Sequence, residues 1–191
     1  MPSSADPVDA ALERAVTEVQ QAVAALSPEI VPVVLIDGRS GAGKSTVAAR
    51  LRKRWTGAVN VIGLDELYPG WDGLSEGAEI VRTRILEPIA RGTDAFWNRW
   101  DWENGRPAEE VMTPASLPLI IEGAGVLTAA SAPLAHVRLW LESPEPARRD
   151  RALARDGDTY RPHWSRWAQQ EEAHLRTHSP HAHATIRIDI P

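Results

Sequence analysis

Cysteine is absent from all 191 residues, which excludes disulfides, thiolate zinc sites and thiol nucleophiles. Basic residues are outnumbered, 21 Lys and Arg against 26 Asp and Glu, for a formal charge of -5. That balance supplies no global positive field for gripping nucleic acid. No apolar run is long enough to span a membrane, and no signal-peptide pattern opens the chain. The expectation is a cytoplasmic protein with neither nucleic-acid nor membrane partners. Tyrosine (two) and phenylalanine (one) are scarce, so eight tryptophans carry most of the aromatic surface. Four of them, Trp71, Trp97, Trp100 and Trp102, fall in one short central segment. The length suits one domain, residues 1–191, with a sizeable core.

What is present alternates. Apolar, β-branched runs at 31–37, 59–65, 117–123, 136–142 and 184–190 read as buried strands. Helical spacing marks 8–26, with Asp6 as its cap, then 44–55, 75–92, 143–157 and 162–178. Pro88 should kink the last turn of the third of these. Residues 1–7 read as a frayed start, and 93–116, rich in Trp, Pro and charge, reads as mostly loop. Strands alternating with helices predict an α/β fold, a parallel sheet covered on both faces, with ligands at the carboxyl ends of the strands. Asp37, Asp65, Glu122 and Glu142 fall at or just past those ends, which predicts four carboxylates along one rim.

Between the first strand and the next helix stands "GRSGAGKST", residues 38–46. Gly38-x-x-x-x-Gly43-Lys44-Ser45 is the phosphate-loop (Walker A) pattern in its proper strand–helix context. Glycines at 38, 41 and 43 let the backbone wrap an anion with its N–H groups inward, and the following helix adds its positive end. Ser40, Gly41, Ala42 and Gly43 would cradle phosphates, and Lys44 would reach the β- and γ-phosphates. Ser45 would ligate Mg²⁺, and Thr46 would reach an α-phosphate. The pattern implies a nucleoside triphosphate and Mg²⁺. No Asn-Lys-x-Asp guanine-reading motif occurs, which favours ATP over GTP.

A kinase needs a group to orient the acceptor hydroxyl beside the γ-phosphate. Asp65, ending the second strand next to the loop's rim, is the candidate, and Glu66 ranks second. Glu122, ending the third strand, suits a carboxylate acting on Mg²⁺ through water. Capping the segment that follows is the alternative role for either acid.

In order along the chain, "DELY" (Asp65 to Tyr68), "RWDW" followed by Arg106, "IIEG" and the arginine-rich "RRDRALARDGD" resemble the uridine kinase and phosphoribulokinase group of phosphate-loop kinases. The resemblance implies the P-loop NTPase fold with a five-stranded parallel sheet and a small lid. It implies ATP with Mg²⁺, and phosphoryl transfer to a hydroxyl. It makes Asp65 the catalytic carboxylate, with Tyr68 lining the acceptor pocket, Trp100 and Asp101 on the acceptor side, and Arg151 and Arg155 as lid arginines. The family's histidine-proline-aspartate segment, which holds ribose, has no counterpart after Tyr68, so the reaction carries over and the acceptor does not.

Read as residues, arginines at helical spacing over 144–161 suit a lid closing on transferring phosphates, or a solvated face paired with the local acids. Residues 93–116 form an acceptor-side insertion. Trp71, Trp97, Trp100 and Trp102 suit the wall of an acceptor pocket or a small core under a long loop. Trp164 and Trp167 read as packing of the penultimate helix. His174, His178, His181 and His183 read as a polar linker before the last strand or, less simply, a metal cluster. Substrate candidates are therefore Asp65, Tyr68, Trp71, Trp100, Asp101 and Arg106. A nucleoside-monophosphate kinase is the first alternative, kept open by Arg82, Arg84, Arg99 and Arg106. A non-catalytic ATP-binding regulatory module is the second. Monomer and homodimer both stay open.

Overall fold

The five apolar runs form one parallel sheet in the computed structural model, which describes residues 6–191. Its strands are β1 (Val33–Gly38), β2 (Asn60–Gly63), β5 (Leu119–Glu122), β6 (Val137–Glu142) and β7 (Ile186–Asp189). Their spatial order is β2-β5-β1-β6-β7. Period-two alternation divides each central strand between two cores. Val33, Leu35, Leu119 and Ile121 face one side, and Val34, Ile36, Ile120 and Leu139 face the other.

The second face is covered by α1 (Pro7–Ala24) and α2 (Lys44–Arg54). The Asp6 carboxylate accepts the Val8 N–H at 3.0 Å and starts α1, so the expected fraying does not extend to residues 6 and 7; residues 1–5 lie outside the described residues. Across the two helices Arg50 donates to Glu13 at 2.7 Å and to Asp9 at 2.5 Å.

The first face is covered by α3 (Leu74–Ile80), a π-helical turn (Val81–Leu86) and α4 (Glu87–Ala90), together with α6 (Trp164–His178). Pro88 has no N–H to give a regular α ladder, and the chain widens into the π register just before it. α5 (Glu145–Tyr160) runs from the end of β6 toward α6, and α7 (Pro180–His183) leads into β7.

The segment expected as loop is a hairpin. β3 (Ala95–Asp101) pairs antiparallel with β4 (Arg106–Thr113), with a register shift between Asn98 and Trp100. Its alternation is visible in hindsight: Ala95 and Trp97 are buried, Phe96 is exposed. Density of Trp, Pro and charge hid that pattern. The buried Trp97 Nε1–H donates to Thr113 Oγ1 at 3.0 Å, so this tryptophan packs the hairpin onto the core.

Candidate active site

At the carboxyl end of β1 the chain turns into the phosphate loop. Gly41 (φ 80°) and Gly43 (φ 101°) take left-handed conformations that other residues rarely adopt. A Cβ on Gly41 would lie 2.0 Å from the Arg148 carbonyl oxygen, so close backbone contact also requires glycine there. Gly43 caps α2, and Lys44 and Ser45 form its first turn. Lys44 Nζ donates to the Arg39 carbonyl at 3.2 Å, which arcs its ammonium over the loop.

Lys44, Ser45, Asp65, Glu122 and Arg155 line one cavity of about 40 Å³, with Ser40, Gly41 and Gly43 in the same wall. Of the expected rim of four carboxylates, two face it. Burial pushes the Glu122 carboxyl above its ordinary range, while Lys44 and the Ser45 hydroxyl pull it back. Asp37 turns inward instead: it accepts N–H groups of Gly38 (2.6 Å), Gly125 (3.0 Å) and Leu127 (2.8 Å), with His174 Nε2 at 3.5 Å. Glu142 accepts from Trp140 Nε1 at 3.0 Å and Ser143 N at 3.2 Å. Asp65 reaches the site from a 3₁₀ turn (Leu64–Glu66) after β2. β2 is not the strand next to the loop's own, because β5 lies between them and puts Glu122 opposite both Ile36 and Gly63. The order in which buried strands assemble is not encoded in their apolar runs.

Ser45, Asp65 and Glu122 offer an all-oxygen set, a hydroxyl and two carboxylates in one wall. That chemistry suits Mg²⁺, a hard cation that takes oxygen ligands.

The loop's main chain is gripped from outside, a feature missed by the sequence reading. The Glu171 carboxylate, 2% exposed, accepts the Ser40 N–H at 2.6 Å and the Arg39 Nε–H at 3.0 Å. The equally buried Arg148 donates to the carbonyls of Ser40 (3.1 Å) and Ser143 (2.9 Å). Arg151 Nε donates to the Gly41 carbonyl at 2.9 Å, and its other nitrogens reach the Pro191 carbonyl and Ser143 Oγ. Arg151 therefore braces the loop from behind and does not line the cavity, although it shares a helix face with Arg155. A residue 131 positions from its partner has no local sequence signal; a carboxylate on the Trp164–Trp167 face of an amphipathic helix was the available hint.

A second cavity of about 300 Å³ adjoins the first, and Ser40, Asp65, Tyr68, Arg155 and Trp167 line both. Its further walls include Trp71, Trp102 and Tyr160. Tyr68, fully buried, donates to the Ala124 carbonyl at 2.7 Å and sits edge-on to Trp167. Trp71 stacks on His163 (4.1 Å between centroids) and contacts Trp102 (5.0 Å). Trp102 Nε1–H donates to the Asp65 carbonyl at 2.7 Å, and Arg99 pairs with Glu66 at 2.6 Å, so the hairpin is tied to the Asp65 turn.

Other candidates lie elsewhere. Trp100 faces Pro107 across the hairpin and is in neither cavity wall. Asp101 accepts from the N–H groups of Glu103 and Asn104 (3.0 Å each) and from Asn104 Nδ2 (2.7 Å), closing the hairpin turn with Arg106 opposite. Thr46 is in the first turn of α2, outside both walls. Arg82 pairs with Glu79 and Glu87, and Arg99 with Glu66 and Glu109. Arg82, Arg84, Arg99 and Arg106 all stand outside the two walls. Among the described residues no group of three or more His, Asp and Glu is arranged to hold a metal ion by itself, and the C-terminal histidines divide between α6 and α7. No described helix is long and apolar enough to cross a membrane.

No family model matches the sequence, and no curated protein does. Solved structures do. A possible uridine kinase from Bacillus stearothermophilus is 17% identical, with a TM-score of 0.67 over 93% of this chain and 99% of that one. A candidate fructose transport system kinase from Silicibacter sp. TM1040 is 19% identical, with a TM-score of 0.54 over 91% and 98%. At such low identity the likeness speaks for architecture: the chain has the α/β fold of P-loop kinases, a five-stranded parallel sheet flanked by helices.

Proposed function

We propose that the chain is an ATP-dependent small-molecule kinase, moving the γ-phosphate of Mg-ATP to a hydroxyl of a small acceptor. One observation carries this reading: Asp65 and Arg155 stand in the wall shared by the phosphate cavity and the aromatic cavity. A hydroxyl in the second would lie beside a phosphate in the first. The kinase names of the two structural neighbours agree with it.

Loop amides other than that of Ser40, which Glu171 holds, would grip the triphosphate together with Lys44 and the start of α2. Ser45 and Glu122 would hold Mg²⁺, which when bound neutralises charge on the phosphates. Asp65 accepts a hydrogen bond from the acceptor hydroxyl and aligns it for in-line attack. The new bond joins the acceptor oxygen to the γ-phosphorus, the bond from that phosphorus to the β,γ-bridging oxygen breaks, and ADP leaves. The hydroxyl proton passes to Asp65 and then to solvent. Arg155, on the same wall, offsets charge on the transferring group.

A [γ-³²P]ATP transfer screen over nucleosides, sugars, vitamins and amino-alcohols tests the reading. With the acceptor found, Lys44→Ala should remove turnover. Asp65→Asn should spare ATP binding and cut transfer about a hundredfold or more. Slow hydrolysis alone across the whole screen, with a copurifying protein partner, would replace the kinase with a regulatory module.

A further inference from the structure

Asp37 is a buried carboxylate without a part in the transfer step. It stands on β1 immediately before the phosphate loop, is 1% exposed, and lines neither the phosphate cavity nor the aromatic one. Its Oδ1 accepts the N–H groups of Gly38 and Gly125, and its Oδ2 accepts that of Leu127. His174 Nε2, 3.5 Å from Oδ2, is buried and has no hydrogen-bond partner among the described residues. A carboxylate is an acceptor at both oxygens, so it can take all three amides, whereas asparagine turns an amide donor toward one of them. Two of the three N–H groups belong to a different segment, the one that follows Glu122.

That segment, 123–127, carries the contact to the acceptor side. Gly123 and Ala124 stand in the wall of the phosphate cavity. The Gly123 N–H donates to the Ile36 carbonyl at 3.1 Å, and the Ala124 carbonyl accepts the buried Tyr68 hydroxyl at 2.7 Å. The Tyr68 N–H donates in turn to the Leu64 carbonyl at 3.0 Å and closes the turn that presents Asp65. Packing along this path is tight. A Cβ on Gly123 would collide with the Leu64 side chain and lie 3.0 Å from the Tyr68 hydroxyl; one on Gly125 would lie 2.7 Å from the Leu74 side chain. Strand pairing does not join the two ends directly, because β5 separates β1 from β2. Past the strand ends, the segment tethered by Asp37 bridges them.

We propose that Asp37 is a positioning residue for phosphoryl transfer: its carboxylate fixes segment 123–127 against the start of the phosphate loop, and through Ala124 and Tyr68 fixes the Asp65 turn relative to that loop. The effect on rate rests on the kinase reading; the mechanical link does not. Such a link matters because a misplacement of about 1 Å between reacting groups can cost about a hundredfold in rate.

Asp37→Asn keeps the side chain's size and breaks the set of three acceptor contacts. Affinity of the full chain for a non-hydrolysable ATP analogue with Mg²⁺, read by calorimetry, should stay within about threefold of the wild type, because Lys44 and the loop amides that face the phosphates are untouched. With the acceptor that the transfer screen identifies, kcat at saturation should fall about tenfold or more. Hydrogen exchange read by mass spectrometry should speed up at 123–127 and at 64–68, and hold at the wild-type level in α1 and β7. Tyr68→Phe cuts the path one link later, so 64–68 should exchange faster while 123–127 stays as in the wild type. Unchanged exchange at 64–68 in either variant, a rise that extends equally to α1 and β7, analogue affinity lost together with rate, or an unchanged kcat in Asp37→Asn would each overturn the proposal. Should Asp37→Asn not fold, the Tyr68→Phe exchange pattern decides. The expected exchange pattern with no transfer to any acceptor in the screen would overturn the kinase reading and leave the link from Asp37 to the Asp65 turn in place.

Discussion

The Glu171 carboxylate and the Ser40 backbone N–H, 131 residues apart, share a 2.6 Å hydrogen bond. The phosphate-loop motif is held by a buried carboxylate on α6, and Arg39 and Arg148 balance that charge at 3.0 and 3.9 Å. Glu171→Ala would leave the buried Arg148 without its carboxylate and free the Ser40 amide. Removing one member of such a set costs about 3 kcal/mol. Denaturant melts should show that loss, and calorimetry an ATP affinity at least about tenfold weaker. Glu171→Gln keeps an acceptor for Ser40 and should recover part of the affinity. Equal ATP binding by all three proteins would remove Glu171 from any part in shaping the loop.

Gly41 gives a sharper test of the same contact. Alanine there would meet the Arg148 carbonyl at 2.0 Å and would carry a φ of 80°. Both demands are steric, and the atoms that would clash are the backbone of Arg148. Gly41→Ala should therefore lose nucleotide binding beyond detection, whereas Gly57→Ala has only the positive φ to answer for, with open space around it. Left-handed backbone costs a non-glycine residue roughly 1–2 kcal/mol. Gly57→Ala should lose that much unfolding free energy in denaturant melts, with ATP affinity unchanged.

These contacts show where sequence reading stopped. The five strands of the parallel sheet, the five main helices and the phosphate loop were legible because each is written locally, in periodicity or in a contiguous motif. Asp65 and Glu122 were legible as ends of apolar runs. Asp37 and Glu142 look the same in sequence, yet they turn to bind nearby N–H groups, a choice fixed by loops that fold onto them. Strand order, which puts β5 between β1 and β2, depends on crossovers that no run encodes. The hairpin was hidden by its composition. Trp100, Asp101 and Arg106 were placed by resemblance to a sequence pattern; Asp101 here closes the turn of that hairpin. Glu171 acquires meaning only when α6 packs against the loop.

Arg151 and Arg155 lie one helical turn apart on α5 and meet different surroundings. Arg151 donates to the Gly41 carbonyl at 2.9 Å, whereas Arg155 lines the phosphate cavity together with Asp65 and Glu122. Arg151→Ala should lower the melting temperature and weaken ATP binding, with kcat at saturation little changed. Arg155→Ala should keep both and lose kcat by about a hundredfold or more, the scale for removing a charge that stabilises a transition state. Steady-state kinetics beside thermal melts separate the two. A fall in kcat for Arg151→Ala larger than that for Arg155→Ala would reverse the assignment.

Glu122 makes the pH dependence specific. Burial raises its carboxyl above the ordinary value, against the opposing pull of Lys44 and Ser45. Between the ordinary and the raised value the folded chain keeps a proton that the unfolded chain has lost. The folded state binds more protons there, so this group's contribution to stability falls as pH rises through the window and is flat above it. Glu122→Gln has no proton to lose and should abolish that slope, melting at or above the wild type at neutral pH without nucleotide. Cation binding runs the other way, because only the carboxylate is a ligand. The Mg²⁺ concentration for half-maximal transfer should therefore rise as pH drops through the same window in the wild type. In Glu122→Gln it should be high and insensitive to pH. Parallel melts and Mg²⁺ titrations from acid to neutral pH measure both slopes; a wild-type melting curve that shows no Glu122-dependent change across the window would mean that the carboxyl titrates at its ordinary value.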